Sequence, residues 1–280
     1  MTHRVRWSRS GIGTPLALLA VAALLAALYA PTVQWLWTTW RVHPYYAHGP
    51  FVLPVAAALA WRQRTRLEAV SWAPGWPMLA AGLTLTVASS RMEAMPLSAA
   101  GLVLVVAALV GLVWGSAGLR ALALPIALLA VAVPLPWVER LTPPLAAAVA
   151  RAAAGAATAA GVAVERSGAQ LAVGDGAFVV GAPCSGLRSV LALATVALVL
   201  AGLSQASPGR RAILLLAALP VALCTNWLRL TSLLLASHTF GAERGLVLFD
   251  GPAGALFFVA AVAILLAMTG PVGGRVQHTE

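Results

Sequence analysis

The side chains best suited to chemistry fall late in this chain of 280 residues. Cys184 stands in Ala182-Pro183-Cys184-Ser185-Gly186-Leu187-Arg188, at the head of an apolar run over 185–203. A thiol at a helix N-terminus meets free backbone N–H groups and the positive end of the macrodipole, which favour the thiolate. The same amides can stabilise an oxyanion, so Ser185 and Gly186 are candidates for binding substrate or shaping the turn. The plainer alternative is a small buried thiol, since free cysteine is among the most buried residue types.

Asn226 and Arg229 form a second polar point, in Thr225-Asn226-Trp227-Leu228-Arg229. Arg229 follows Ala212, the start of its apolar run, by seventeen residues. At 1.5 Å per residue that is about 25 Å along a helix, near the far boundary of a bilayer. Asn226 lies one turn below, on the same face. Polar groups in such a run usually face a polar partner or a water-filled pocket; snorkelling to headgroups is the alternative. The third point is the stretch 237–251, read as an outer loop with His238, Glu243, Arg244 and Asp250. Asp250, just before Gly251-Pro252, is first of all a helix N-cap, and His238 an interfacial polar residue. Either can also act as general base or orienting group for a thiol.

These groups need elements to hold them, and composition says which kind. Hydrophobic residues make up 61% of the chain and charged ones 9%, against roughly 25% charged in soluble domains. A soluble globular domain is excluded; the chain belongs in a bilayer. Apolar runs at about 14–37, 47–61, 74–90, 95–114, 117–135, 185–203, 212–236 and 252–270 predict an all-α, polytopic helical bundle with about eight transmembrane helices. It is read as a single domain over 1–280, with the catalytic portion in 164–270. The first run is too long for a signal-peptide core and is read as an uncleaved helix.

Residues 139–165 form an Ala-rich helix with Thr142-Pro143-Pro144 as a start signal and Arg151 in its middle. An arginine at mid-bilayer is costly, so this helix is expected to lie at the interface. The eighteen basic residues are all Arg, against eight acidic ones, for a net charge of +10. With the interfacial helix not crossing, Arg4, Arg6, Arg9, Arg62, Arg64, Arg66, Arg120, Arg210, Arg211 and Arg275 all fall on the cytoplasmic side, as the positive-inside rule requires. Clusters placed in that way argue against nucleic acid as a partner. The pieces Gln170–Val173 and Ala177–Val180 flank Gly174-Asp175-Gly176 and predict a small outer-face hairpin. Cys184 and Cys224 are too few for a disulfide framework and lack metal-ligand spacing; no metal and no cofactor are expected.

Along most of its length the sequence resembles the exosortase/archaeosortase family. The matching pieces are Tyr45-Tyr46-Ala47-His48-Gly49-Pro50 with Trp61-Arg62, Val133-Pro134-Leu135-Pro136-Trp137, Cys184-Ser185-Gly186-Leu187-Arg188 and Asn226-Trp227-Leu228-Arg229. The resemblance implies an integral membrane cysteine transpeptidase of the bacterial inner membrane, with its active site on the periplasmic face. Its partners would be the lipid bilayer and exported proteins ending in a Pro-Glu-Pro-like motif, an apolar helix and a basic tail, in systems linked to exopolysaccharide and surface proteins. The family's proposed catalytic Cys maps to Cys184 and its Arg to Arg229. Its His lies four residues before a Gly that opens the final helix; counted back from Gly254, that position holds Asp250. His238 is the only nearby imidazole and matches an earlier position. A non-catalytic sorting receptor or scaffold is the alternative that this departure supports.

Overall fold

A computed structural model describes residues 13–68, 74–174, 176–181, 184–204, 206–250 and 252–269, with the backbone alone for 13–15, 17, 18, 248–250, 252 and 253. The terminal arginines Arg4, Arg6, Arg9 and Arg275, and Asp175, lie outside the described residues. The chain gathers into two compact units, Met1–Leu135 and Pro136–Glu280.

The first unit holds α1 (Gly13–Val42), α2 (Gly49–Gln63), α3 (Gly75–Met92), α4 (Met95–Ala121) and α5 (Ala123–Val131). On α1 the buried residues Tyr29, Thr32, Leu36 and Trp40 recur at helical spacing, while Leu19, Leu24 and Leu28 are exposed. An apolar helix that leaves leucines uncovered suits lipid on that side. The helices α3 and α4 pack tightly because glycines face each other: a Cβ on Gly101 would lie 2.7 Å from the Gly82 carbonyl oxygen. Small residues let transmembrane backbones approach in this way. Buried hydroxyls pair across the helices, Tyr29 with Thr86 at 2.8 Å and Thr32 with Ser98 at 2.7 Å. The Tyr46 hydroxyl donates to the Leu135 carbonyl at 3.0 Å and accepts from the Leu135 N–H at 3.1 Å.

The second unit carries the candidate site. It runs α6 (Pro136–Glu139), α7 (Thr142–Ala159), β1 (Glu165–Ser167), β2 (Gln170–Val173), β3 (Gly176–Val179), α8 (Leu187–Leu203), α9 (Pro208–Phe240), α10 (Ala242–Asp250) and α11 (Pro252–Met268). The expected hairpin is present, with Leu171 opposite Phe178 and Val173 opposite Gly176, and β1 adds a third antiparallel strand on its free edge. Both connections are two residues long and open on a glycine with positive φ, Gly168 at 61° and Gly174 at 59°, as tight hairpin turns favour. The sheet turns Leu171, Val173, Phe178 and Val180 onto α7 and α9, into one core with Ala150, Ala153, Ala157, Leu230 and Leu234. Arg151 stands on the exposed side of α7, so that helix is amphipathic. A second core, of Leu193, Ala197, Leu214, Ala218, Ala261 and Leu265, joins α8, α9 and α11.

Among the described residues, three helices are long and apolar enough to cross a membrane: Leu19–Val42 of α1, α4 and α9. A fourth crossing results if Ala123–Val131 and Pro136–Ala159 act as one broken span. This is a multi-pass, helical membrane protein. Length accounts for part of the difference from the eight apolar runs: α2, α8 and α11, at 15, 17 and 17 residues, fall short of the about 20 that a straight crossing needs, while α3, at 18, is less apolar. The runs 95–114 and 117–135 part at Gly115, which leaves helical geometry at φ 67° and kinks α4, and the second run continues through α5.

Candidate functional site

The sheet delivers the chain to the cysteine. The Val180 N–H donates to the Ala169 carbonyl at 2.9 Å, and the Cys184 and Ser185 N–H groups both donate to the Gly181 carbonyl, at 3.1 and 2.9 Å. Ser185 is fully buried, and its Oγ accepts from the Leu187 N–H at 3.4 Å. The N-cap of α8 is Gly186, at φ 85° and ψ −15°. The helix therefore starts at Leu187, and Cys184 sits in the turn ahead of it instead of at its first position. A left-handed residue cannot continue a right-handed helix, and glycine takes that conformation without a Cβ penalty.

Asn226 on α9 fixes this turn from the other side. Its side chain is 3% exposed, and Nδ2 donates to the Cys184 carbonyl at 2.8 Å. Gly186 makes the approach possible, since a Cβ there would lie 3.2 Å from Asn226 Nδ2 and 3.5 Å from Leu223 Cδ2. Cys184 is half-buried against the core shared by the sheet, α7 and α9.

Asn226 also lines a small cleft between α8, α9 and α11, with Ser189, Thr225, Arg229, Gly254 and Phe257. One side chain thus touches both the cysteine turn and the arginine's cleft. Arg229 is half-buried there, one turn above Asn226 on α9. The cleft combines hydroxyl, amide and guanidinium donors with an aromatic wall, a lining that suits the polar backbone of a peptide or a developing negative charge.

His238 is exposed, in the last turn of α9. Nine residues beyond Arg229, it stands about 13.5 Å further along the axis and half a revolution round it. The structure does not bring it to Arg229. The stretch 237–251, read from sequence as a loop, is mostly helical: α9 continues to Phe240, Gly241 turns the chain at φ 88°, and α10 follows. The fold-back is close, because Gly245 packs against Ser237 with no room for a Cβ. The chain then descends along α9 to Gly254, at the cleft with Arg229. Asp250 ends α10, four residues before Gly254, with Gly251 between it and the Pro252 that opens α11. Its side chain lies outside the described residues. Glu243 and Arg244 are exposed on the first turn of α10.

The family model for transmembrane exosortase (Exosortase_EpsH) matches residues 37–267. The chain belongs to the transmembrane exosortase family. The exosortase match runs from Trp37 in α1 to Ala267 in α11 and takes in Cys184, Asn226, Arg229, His238 and Asp250. No curated protein and no solved structure matches the chain. Sequence reasoning passed over Ser189, Thr225 and Phe257, which complete the exosortase cleft. The Thr225 signal was legible, for it stands four residues before Arg229 and so shares its helix face. Ser189 and Phe257 carry no such signal, because their place depends on how α8 and α11 pack on α9.

Proposed function

We propose that this exosortase is a membrane cysteine transpeptidase that cleaves the C-terminal sorting tails of exported proteins, in support of exopolysaccharide or surface-protein export. In this reading the chain crosses the bacterial inner membrane about eight times, α7 rests on the outer surface, and Cys184 faces the periplasm. The observation that carries the proposal is the Asn226 contact, which ties the turn bearing Cys184 to the cleft holding Arg229.

The Cys184 thiolate attacks the scissile carbonyl of a tail lying beside the bundle. Arg229 stabilises the negative charge that develops on the carbonyl oxygen. The C–N bond breaks, the thiol's proton ends on the departing amine, and a thioester remains on Sγ. An acceptor amine or water then attacks the thioester and releases the thiolate, with Asp250 or His238 positioning that nucleophile. Ser185 and Gly186 shape the turn, and Asn226 holds it.

Mass spectrometry of a co-expressed candidate substrate tests this reading. Wild type is expected to yield a tail-less product whose added mass reports the acceptor, and Cys184→Ala none. Normal processing by Cys184→Ala would overturn the mechanism. A second reading, a sorting receptor without catalysis, is favoured by one observation: the position of the family's His holds a carboxylate, Asp250. It requires that substrate co-purify with wild type while hydroxylamine releases no thioester-bound fragment.

A further inference from the structure

Trp227 follows Asn226 on α9 and has no part in the chemistry above. Its indole Nε1 is buried and has no hydrogen-bond partner among the described residues. The ring packs against the core of α7, α9 and the sheet, the core that Cys184 also packs against. At 100° per residue, Trp227 stands 100° round α9 from Asn226 in one direction and Arg229 about 60° in the other. Asn226 holds the Cys184 carbonyl, so the indole and the guanidinium leave α9 on opposite sides of the residue that fixes the cysteine turn.

A buried donor without an acceptor is disfavoured in a protein interior and in lipid alike. A phenylalanine would pack there without that penalty. An indole nitrogen donates and never accepts, so the group that satisfies it is a hydrogen-bond acceptor. In a site for polypeptide, that group is a backbone carbonyl.

We propose that the Trp227 indole N–H is a substrate-binding donor, held for a backbone carbonyl of the sorting peptide as it passes Cys184. Arg229 faces the peptide on one flank and Trp227 on the other, which fixes the strand across the thiol. The inference rests on the transpeptidase reading, and its test separates the two.

The probe is a synthetic peptide with a Pro-Glu-Pro motif, an apolar helix and an arginine tail, reconstituted in lipid nanodiscs with full-length Cys184→Ala protein. The 15N–1H indole resonance of Trp227, assigned by its loss in Trp227→Phe, is expected to move downfield as the peptide binds. Replacement of Trp227 by benzothienylalanine, which keeps the shape but puts sulfur in place of the N–H, is expected to weaken binding about tenfold, the scale of one hydrogen bond. A fixed Trp227 resonance, or equal affinity for the benzothienyl protein, would overturn the indole's role while leaving the transpeptidase reading intact. If no peptide binds to the Cys184→Ala protein, both fall together.

Discussion

The amide of Asn226 reaches across forty-two positions of sequence to donate its Nδ2 hydrogen to the Cys184 carbonyl, at 2.8 Å. The amide is buried and the contact part-buried, so removing it leaves the carbonyl without its protein donor. Such a loss costs about 1–3 kcal/mol. Asn226→Ala is expected to lower both the thermal stability of the purified protein and substrate processing. Asn226→Asp is expected to be worse than Ala, because it sets a carboxylate oxygen against the carbonyl and buries a charge. Equal effects of the two variants, measured by melting in detergent and by processing yield, would mean that the amide does not hold the turn.

Gly186 bears on the same turn through its backbone. At φ 85° it occupies the left-handed region, and the space beside it is taken by Asn226 and Leu223. Gly186→Ala is expected to destabilise the protein by about 1–2 kcal/mol from conformation alone. It should also push Asn226 away, so processing should fall by more than the stability loss explains. Ser185→Ala is a useful comparison, since it removes the long 3.4 Å contact to the Leu187 N–H without changing the backbone conformation of the turn, and is expected to be milder.

Much of this site could be read from residue types. The Cys-Ser-Gly turn and the Asn-x-x-Arg spacing identify the polar groups, and the alternation around Gly174 shows the hairpin. What periodicity could not show was where helices stop. Gly186 and Gly241 adopt positive φ, and each relocates a boundary: one sets Cys184 ahead of α8, the other lets α10 fold back on α9. A glycine in a sequence does not declare its sign of φ, because it populates both. The stretch 237–251 looked like a loop because it is polar, yet Gly245 against Ser237 and Ala242 against the core give it a face to bury. Hydropathy does part the runs 95–114 and 117–135 at the Gly115 kink of α4, but it does not say which runs form helices long enough to cross.

The outward placement of Cys184 rests on the distribution of arginines and can be tested directly. The two cysteines differ in environment: Cys184 is half-buried in the turn, and Cys224 is exposed partway along α9. In a bilayer that exposed face of α9 meets lipid. A membrane-impermeant maleimide added to intact spheroplasts is expected to label Cys224→Ala protein, through Cys184, and to leave Cys184→Ala protein unlabelled. Labelling that requires lysis would put the thiol on the cytoplasmic side.

The close fold-back of α10 gives a way to decide between Asp250 and His238. The path of α10 passes Ser237 at Gly245 and reaches the Arg229 cleft by Gly254, so Asp250 is carried toward Arg229 while His238 stays at the far end of α9. If Asp250 positions the nucleophile, Asp250→Ala should reduce processing by about 100-fold or more, the usual scale for a general acid or base, and His238→Ala should change it little. Asp250→His should then recover activity with a new pH dependence, because an imidazole titrates near 6.5 and a carboxylate near 4. Gly245→Val adds a geometric check: it forces α10 off Ser237 and should mimic Asp250→Ala in processing while leaving labelling of Cys184 intact. The opposite pattern, with His238→Ala inactive and Asp250→Ala unaffected, would mean that the last turn of α9 rearranges when substrate binds.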